Sequence, residues 1–493
     1  MSIQTVAPNV LMPKNLGPRQ EMSGQQPIGS WLGGGRGVSA VFVLALLIQG
    51  VAGLTFRGLY ADGAFFVTHI VGDQSFIIFA PSRWMSNVIA EAPVVSAIKL
   101  GIASPQLAAL IFSVTTNVLP GVIFLLSGAA LPPVERQFFV FPAFVYFAGT
   151  LATQFASVTE GLVAIPYVWL VLYLILFGQL SALRFSLILL LSVGCLRLHE
   201  AMSFLGPLLF AAVWLRWRDA TLTSLAQFAF GLTLLAILAS AIVGTYWVLF
   251  PYAPEERALF ISQSLQQQWW LYVPGTGCNL PAVLGLLAGI SIIACIAVPN
   301  ISRVSVVSFG IIATVLAVAA FWADALTVPA AQFYARHNAA FMSFPLMILV
   351  LVARFVRGTA NRLTAPPVQK IVMILGVTVS LWHIQATEKW STFFSHFRAV
   401  LDLNSGILPS DMLLRPPGTR PAHLAAKMIW SWTNPDLSIL ALPRRCITSI
   451  IANPQPLNWY YKLQDSTTLP RIPGLAYTYL LPPDRQAAAC PPT

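Results

Sequence analysis

The chain has 493 residues, 57% of them hydrophobic and 9% charged, with a formal net charge of +11. A soluble globular domain carries about 25% charged residues, so this composition excludes an ordinary soluble fold. The basic excess does not signal nucleic acid, because much of it sits in short segments between apolar runs, the positive-inside pattern of membrane proteins.

Residues 1–37 are polar and rich in Gly and Pro, and are expected to form a disordered cytoplasmic tail without a cleavable signal peptide. The first apolar run, 38–55, then acts as an uncleaved signal anchor. Orientation follows from two basic clusters placed in the cytoplasm: Arg216 with Arg218, and Arg354, Arg357, Arg362 and Lys370. Working outward predicts helices near 38–55, 105–127, 138–154, 162–178, 182–196, 201–215, 224–250, 281–298, 303–322, 339–353 and 371–385. The expected fold is an all-α polytopic membrane protein with about eleven transmembrane helices over 38–385.

The parity holds only if residues 84–101, which contain Glu91 and Pro93, lie on the outer surface rather than cross. Short cytoplasmic segments and the amino-terminal tail then hold 12 Lys/Arg, against 6 in the outer loops before the carboxy-terminal region. Residues 386–493 change character, with Pro, Asn, Asp and Ser between short apolar bursts, and predict a small external α+β appendage. Of the five cysteines, none forms a C-x-x-C pair. Cys195 and Cys295 fall in apolar helices as packing residues, while Cys278, Cys446 and Cys490 fall outside, where a Cys446–Cys490 bridge is allowed.

Ionisable residues at helix ends in so apolar a chain are candidates for function. The first outer loop, 56–104, carries Asp62, Asp73 and Arg83. The next outer turns carry Glu160, and then Arg197, His199 and Glu200; a later one carries Asp324, Arg336, His337 and Asn338. A carboxylate or His can take a proton, and a guanidinium matches phosphate oxygens bidentately. Glu160 also suits the start of a helix, where carboxylates are favoured. Trp269 and Trp270, after three glutamines, fit either sugar stacking or an interfacial belt. No G-x-G-x-x-G, Walker or His-Glu-x-x-His motif occurs.

The stretch Tyr60-Ala61-Asp62-Gly63-Ala64-Phe65-Phe66, followed by the amphipathic segment 84–101, resembles the GT-C superfamily of integral-membrane glycosyltransferases. The resemblance implies transfer of a sugar from a polyprenyl-phosphate donor to a glycan, lipid or protein acceptor at the external face of a bacterial inner membrane. It implies Asp62 as catalytic base and Glu160 as the second acidic position. Arg83, Arg197, His199, Glu200, Arg336 and His337 would bind substrate or phosphate. The first loop departs from many members in lacking an Asp-Glu or Asp-x-Asp pair, which leaves a divalent cation (Mg or Mn) open. Two other functions fit the same charges: a transporter or flippase of a lipid-linked or amphipathic solute, and a structural subunit of an envelope-polysaccharide export complex.

Overall fold

A computed structural model describes residues 36–78, 80–101, 104–154, 160–219, 224–251, 279–322, 337–356, 359–429, 433–442, 446–452, 472 and 475–477. The expected tail up to residue 35 lies outside them. The chain is helical along nearly all of this length, as an apolar layer demands, because a helix satisfies its own backbone groups.

Helix α1 (Arg36–Leu54) is followed by α2 (Asp62–Asp73), α3 (Trp84–Lys99) and α4 (Pro105–Ala129). A continuous rod comes next: α5 (Val140–Val145), a π-turn (Tyr146–Thr150) and α6 (Leu151–Thr153). Then follow α7 (Gly161–Leu176), α8 (Ala182–Gly194), α9 (Met202–Asp219), α10 (Ser224–Leu249), α11 (Leu280–Ala297), α12 (Ser302–Trp322) and α13 (Asn338–Phe355). A short α14 (Thr359–Leu363) leads into α15 (Pro366–Leu403). Among the described residues, seven stretches are long and apolar enough to cross a membrane: α1, α4, α10 from Ala226, α11, α12 to Ala320, α13, and α14 with α15. Helix α7 is apolar but shorter, and α3, which carries Pro93, is not among the seven.

Burial sorts these helices into layers. The α5–α6 rod is buried at every residue, and α7 is buried on nearly all faces around Trp169 and Tyr173. A helix apolar all round belongs at the centre of a bundle. At the other extreme, α12 exposes Val304, Val307, Ile311, Val315 and Val318 along its length.

Small residues let the helices approach closely where the backbone itself forms the contact. A Cβ on Gly53 of α1 would lie 2.6 Å from Val114 Cα, and one on Gly58 would lie 2.6 Å from Ser113 Cα, both on α4. Neither backbone atom can swing aside as a side-chain tip could.

Helix α15 runs on past the predicted end at 385 to Leu403. Beyond residue 385 the helix becomes amphipathic: Glu388, Lys389, Arg398 and Asp402 lower its hydropathy, while Trp390, Phe393, Phe394, Phe397 and Leu401 keep one apolar stripe. Its length of 38 residues gives about 57 Å. The first half packs in the main core, and the second half seeds another core with α2, α16 (Arg420–Met428) and α17 (Asn434–Ala441).

Short parallel strand pairs complete this region: β1 (Gly406–Leu408) on β3 (Ser449–Ile451), and β2 (Cys446–Ile447) on β4 (Ala476–Tyr477). The carboxy-terminal elements therefore share a core with the first loop instead of building their own. Cys195 and Cys295 are free and buried, as packing residues would be. Cys446 is disulfide-bonded; Cys490, the partner the sequence allows, lies outside the described residues.

The α1–α4 contact generates a direct test. Gly53→Val must push two backbones apart and should cost about 1–3 kcal/mol, seen as a lower unfolding temperature in detergent. Gly231→Ala, where a Cβ meets nothing within 4 Å, should leave that temperature unchanged or slightly raised. Equal behaviour of the two variants would refute the close-approach account.

Candidate functional site

The first loop is not an irregular connector. Asp62 opens α2, and the apolar residues that follow, Ala64, Phe65, Phe66 and Val67, are buried on several sides by α4 and the carboxy-terminal helices. So short a segment shows little periodicity, which is why the sequence alone reads as a loop. Two non-glycine residues with positive φ, Phe56 (63°) and Ala61 (55°), bracket the turn before Asp62. Such conformations cost on the order of 1–3 kcal/mol each and persist where the surroundings over-determine them. Asp62 itself is half-buried.

After α2 the chain reaches a 3-10 turn, Pro81–Arg83, and here the predicted residues come together. Arg83 Nη1 lies 3.1 Å from Glu160 Oε2, at the entrance to α7. Its Nε donates to both oxygens of Glu200, at 3.2 and 3.0 Å, just before α9. Ser82 Oγ adds a 2.9 Å bond to Glu200 Oε1, and Ser86 Oγ donates to Leu198 O at 2.5 Å. One guanidinium thus ties the first loop to two helix entrances. Glu160 occupies the position before α7 but makes no side-chain cap bond; its carboxylate goes to Arg83 instead.

His199 sits beside this pair, its Nδ1 3.5 Å from Glu200 Oε2. The same Nδ1 accepts the Ala201 amide at 3.1 Å, a bond that a protonated Nδ1 could not accept. Burial alone would raise the Glu200 carboxyl, but the Arg83 guanidinium outweighs it and holds the group well below the usual carboxylate range. Arg83 is held firmly in its charged form, the two carboxylates outweighing its own desolvation.

The structure adds a member that sequence reasoning named only as part of a helix. Glu91 of α3 is 2% exposed, and its Oε2 accepts the Ile77 amide at 2.7 Å. Asn87, one turn earlier, donates to Ile77 O at 3.0 Å, so α3 clamps the backbone of Ile77 at both its polar groups. Glu91 Oε1 has no partner among the described residues. Glu91 and Glu160 line one crevice with Phe66, Thr116, Leu119 and Pro120. The crevice is small, with room for about one water. Burial, reinforced by Glu160 and opposed by the Ile77 bond, pushes Glu91 up to about 8 from an ordinary 4.5. The signal available in sequence was a lone Glu inside an otherwise apolar helix.

A second buried polar network lies deeper, and it too escaped the sequence reading. Arg57, 1% exposed, donates from Nη2 to Gln49 Oε1 (2.7 Å) and Asn117 Oδ1 (3.2 Å). Its Nη1 donates to Thr387 Oγ1 (2.8 Å) and the His383 carbonyl (3.4 Å). Helices α1, α4 and α15 thereby converge on one guanidinium.

Of the remaining candidates, Arg197 is exposed and joins none of these bonds, and Asp73 is exposed at the end of α2. His337 stands half-buried before α13, its ring 6.3 Å from Phe341. Asp324, Arg336, Trp269 and Trp270 lie outside the described residues. Among the described residues no three His, Cys, Asp or Glu side chains gather as a metal-holding group. Glu160 Oε2 and both oxygens of Glu200 are bonded to Arg83. No family model, curated protein or solved structure matches the chain.

Two outcomes follow from this geometry. Arg83→Ala leaves the buried Glu200 without its cation and should cost about 3–5 kcal/mol in detergent unfolding. Adding Glu200→Gln should restore more than about 1 kcal/mol of that loss, and strict additivity would show the pair uncoupled. For Glu91, the folded chain keeps a proton between pH 4.5 and about 8 that the unfolded chain releases, so stability falls as pH rises through this window. Glu91→Gln should flatten that slope by up to about 1.4 kcal/mol per pH unit, read as unfolding temperature against pH. Parallel profiles for the two proteins would count against a raised Glu91.

Proposed function

We propose that the protein is a membrane glycosyltransferase that moves a sugar from a polyprenyl-phosphate donor to an acceptor at the external face of the membrane. The observation that carries this is the joining of the Asp62 loop to Glu160 and Glu200 through Arg83. Two carboxylates with side chains little exposed meet on that guanidinium at the entrances to α7 and α9.

In this assignment the chain crosses the membrane eleven times: the seven long apolar stretches, the rod 140–153, α7, α8 and α9. Its amino terminus is cytoplasmic, and the region after about residue 386 faces the exterior of a bacterial inner membrane. Helix α3 stays on the outer side, which keeps Asp62, Arg83, Glu160 and Glu200 on one face.

Asp62 takes the proton from the acceptor hydroxyl or amine as the new bond to the anomeric carbon forms. The anomeric carbon–oxygen bond breaks, and its electrons leave with the lipid phosphate. Glu160 and Glu200 fix Arg83 in orientation, and a fixed guanidinium can meet a leaving phosphate without reorganising.

A transporter or flippase is the second assignment, and the Arg57 network favours it, since buried polar groups inside a helical bundle often mark a solute path. Deletion of the gene, followed by profiling of cell-surface and lipid-linked glycans by mass spectrometry, separates the two. A glycan lost on deletion should return with the wild type and stay absent with a normally inserted Asp62→Asn protein. Full rescue by Asp62→Asn, or an unchanged glycan profile after deletion, would remove Asp62 as the base. An intact lipid-linked glycan stranded on one side of the membrane would instead favour transport.

A further inference from the structure

Helix α3 packs against α2, α4 and α7, and against the turns Pro81–Arg83 and Cys195–Arg197. This packing brings two carboxyl groups, Glu91 and Glu160, to one crevice. A buried carboxylate that faces a second one is costly, so the two compete for a proton. Arg83 decides the competition. Its 3.1 Å ion pair needs Glu160 as the anion, which leaves the proton to Glu91. Burial first, and then the Glu160 charge, push Glu91 up to about 8.

The other ionisable groups on these elements do not upset that balance. Helix α4 carries none. Asp73, Lys99 and Arg197 are exposed to solvent, and Arg83 bonds to Glu160 and Glu200. Asp62 and His69 are half-buried on α2, Asp62 one turn before Phe66, which lines the crevice.

The bonds also tell which oxygen bears the proton. Oε2 of Glu91 accepts the Ile77 amide at 2.7 Å, so the hydroxyl is on Oε1, which has no partner among the described residues. A buried hydroxyl needs an acceptor, and the side chains of Leu119, Pro120, Leu162 and Val163 on the walls offer none. Two acceptors do line the same crevice, Glu160 and Thr116. The Thr116 hydroxyl donates to Phe112 O at 2.9 Å and keeps its oxygen for accepting. With room for about one water, the crevice suits a molecule that accepts from Glu91 and donates to Glu160 and Thr116. Three such bonds are what a buried water ordinarily makes.

We propose that the crevice is a binding site for one water, which joins Glu91 Oε1 to Glu160 and lets the two carboxyls exchange a single proton. In the exchange the O–H bond of Glu91 breaks as a new O–H bond forms on the water. The water gives one of its own protons to Glu160, so atoms and charge balance. A protonated Glu160 no longer answers Arg83, and the crevice thereby sets how firmly that guanidinium is held at the entrance to α7. The site rests on the crevice alone and stands whether or not the chain transfers sugars.

Infrared difference spectroscopy of the full-length protein in detergent reads both the proton and the water. Ordinary carboxyls are ionised by about pH 6, so a carboxylic-acid band that vanishes between about pH 6 and pH 9 reports the buried group. The wild type should show that band, and Glu91→Gln should abolish it. A water O–H stretch that shifts in heavy-oxygen water should disappear with it. Glu160→Gln should lower the midpoint of the band by about half a pH unit, because the neighbouring charge is gone. A wild type without the band, a band untouched by Glu91→Gln, no water stretch that shifts in heavy-oxygen water, or an unchanged midpoint in Glu160→Gln would each overturn the site. The wild-type spectra, taken across pH and in heavy-oxygen water, decide the matter even if neither variant folds.

Discussion

The bond on which the arrangement of this bundle's outer end depends is the one Arg83 makes to two carboxylates at once. Residues 56–104 connect two long helices, yet they are held as a structured unit because Arg83 anchors them to the entrances of α7 and α9. Each partner alone would be an expensive charge: Glu160 and Glu200 have side chains only 10% and 6% exposed. Burying either without a cation would cost several kcal/mol, so the three are stable only together. That mutual dependence fixes geometry more than it adds net stability.

A second constraint works at the junction of the two cores. Trp390 stacks on Phe394 at 5.4 Å, meets Tyr60 edge-on at 5.5 Å, and donates from Nε1 to Thr55 O at the end of α1. Arg57, nearby in sequence, bonds to α1, α4 and α15. The long helix α15 is therefore locked to the start of the first loop by an aromatic and a cationic contact. On the other side of the same loop, Thr68 of α2 donates to the buried Asp436 of α17 at 2.5 Å. The carboxy-terminal region thus helps position the turn that presents Asp62.

With only 9% charged residues in the chain, the partners of its buried guanidiniums stand out. Arg83 bonds to carboxylates, while Arg57 bonds to neutral side-chain oxygens and the His383 carbonyl among its named partners. Arg184, Arg216 and Arg354 donate to backbone carbonyls at and just past the end of α7, and Arg184 also to Ala130 O after α4. The same side chain thus serves three ends: joining segments, knitting helices, and closing a helix whose last carbonyls face an apolar layer.

The sequence by itself determined the class of this protein: long apolar runs with few charges can only be helices in or beside a membrane, because hydrocarbon leaves no other partner for the backbone. Most helix positions followed from the same property, including the starts of α4, α7 and α11. The grouping of Arg83 with Glu160 and Glu200 did not follow, since these residues are scattered along the chain and charge spacing carries no record of which turns meet. Nor did the helical nature of residues 62–73, where burial from several sides erases the periodicity that would announce a helix. The end of α15 was misplaced for a related reason: hydropathy falls where the helix leaves its apolar surroundings, while the helix continues on packing. Glu91 was visible as a letter, but its crevice exists only because α3, α4 and α7 come within reach of one another. What the tertiary structure decided, then, was which polar groups share a small space, and electrostatics in so apolar a body makes that the chemistry that matters.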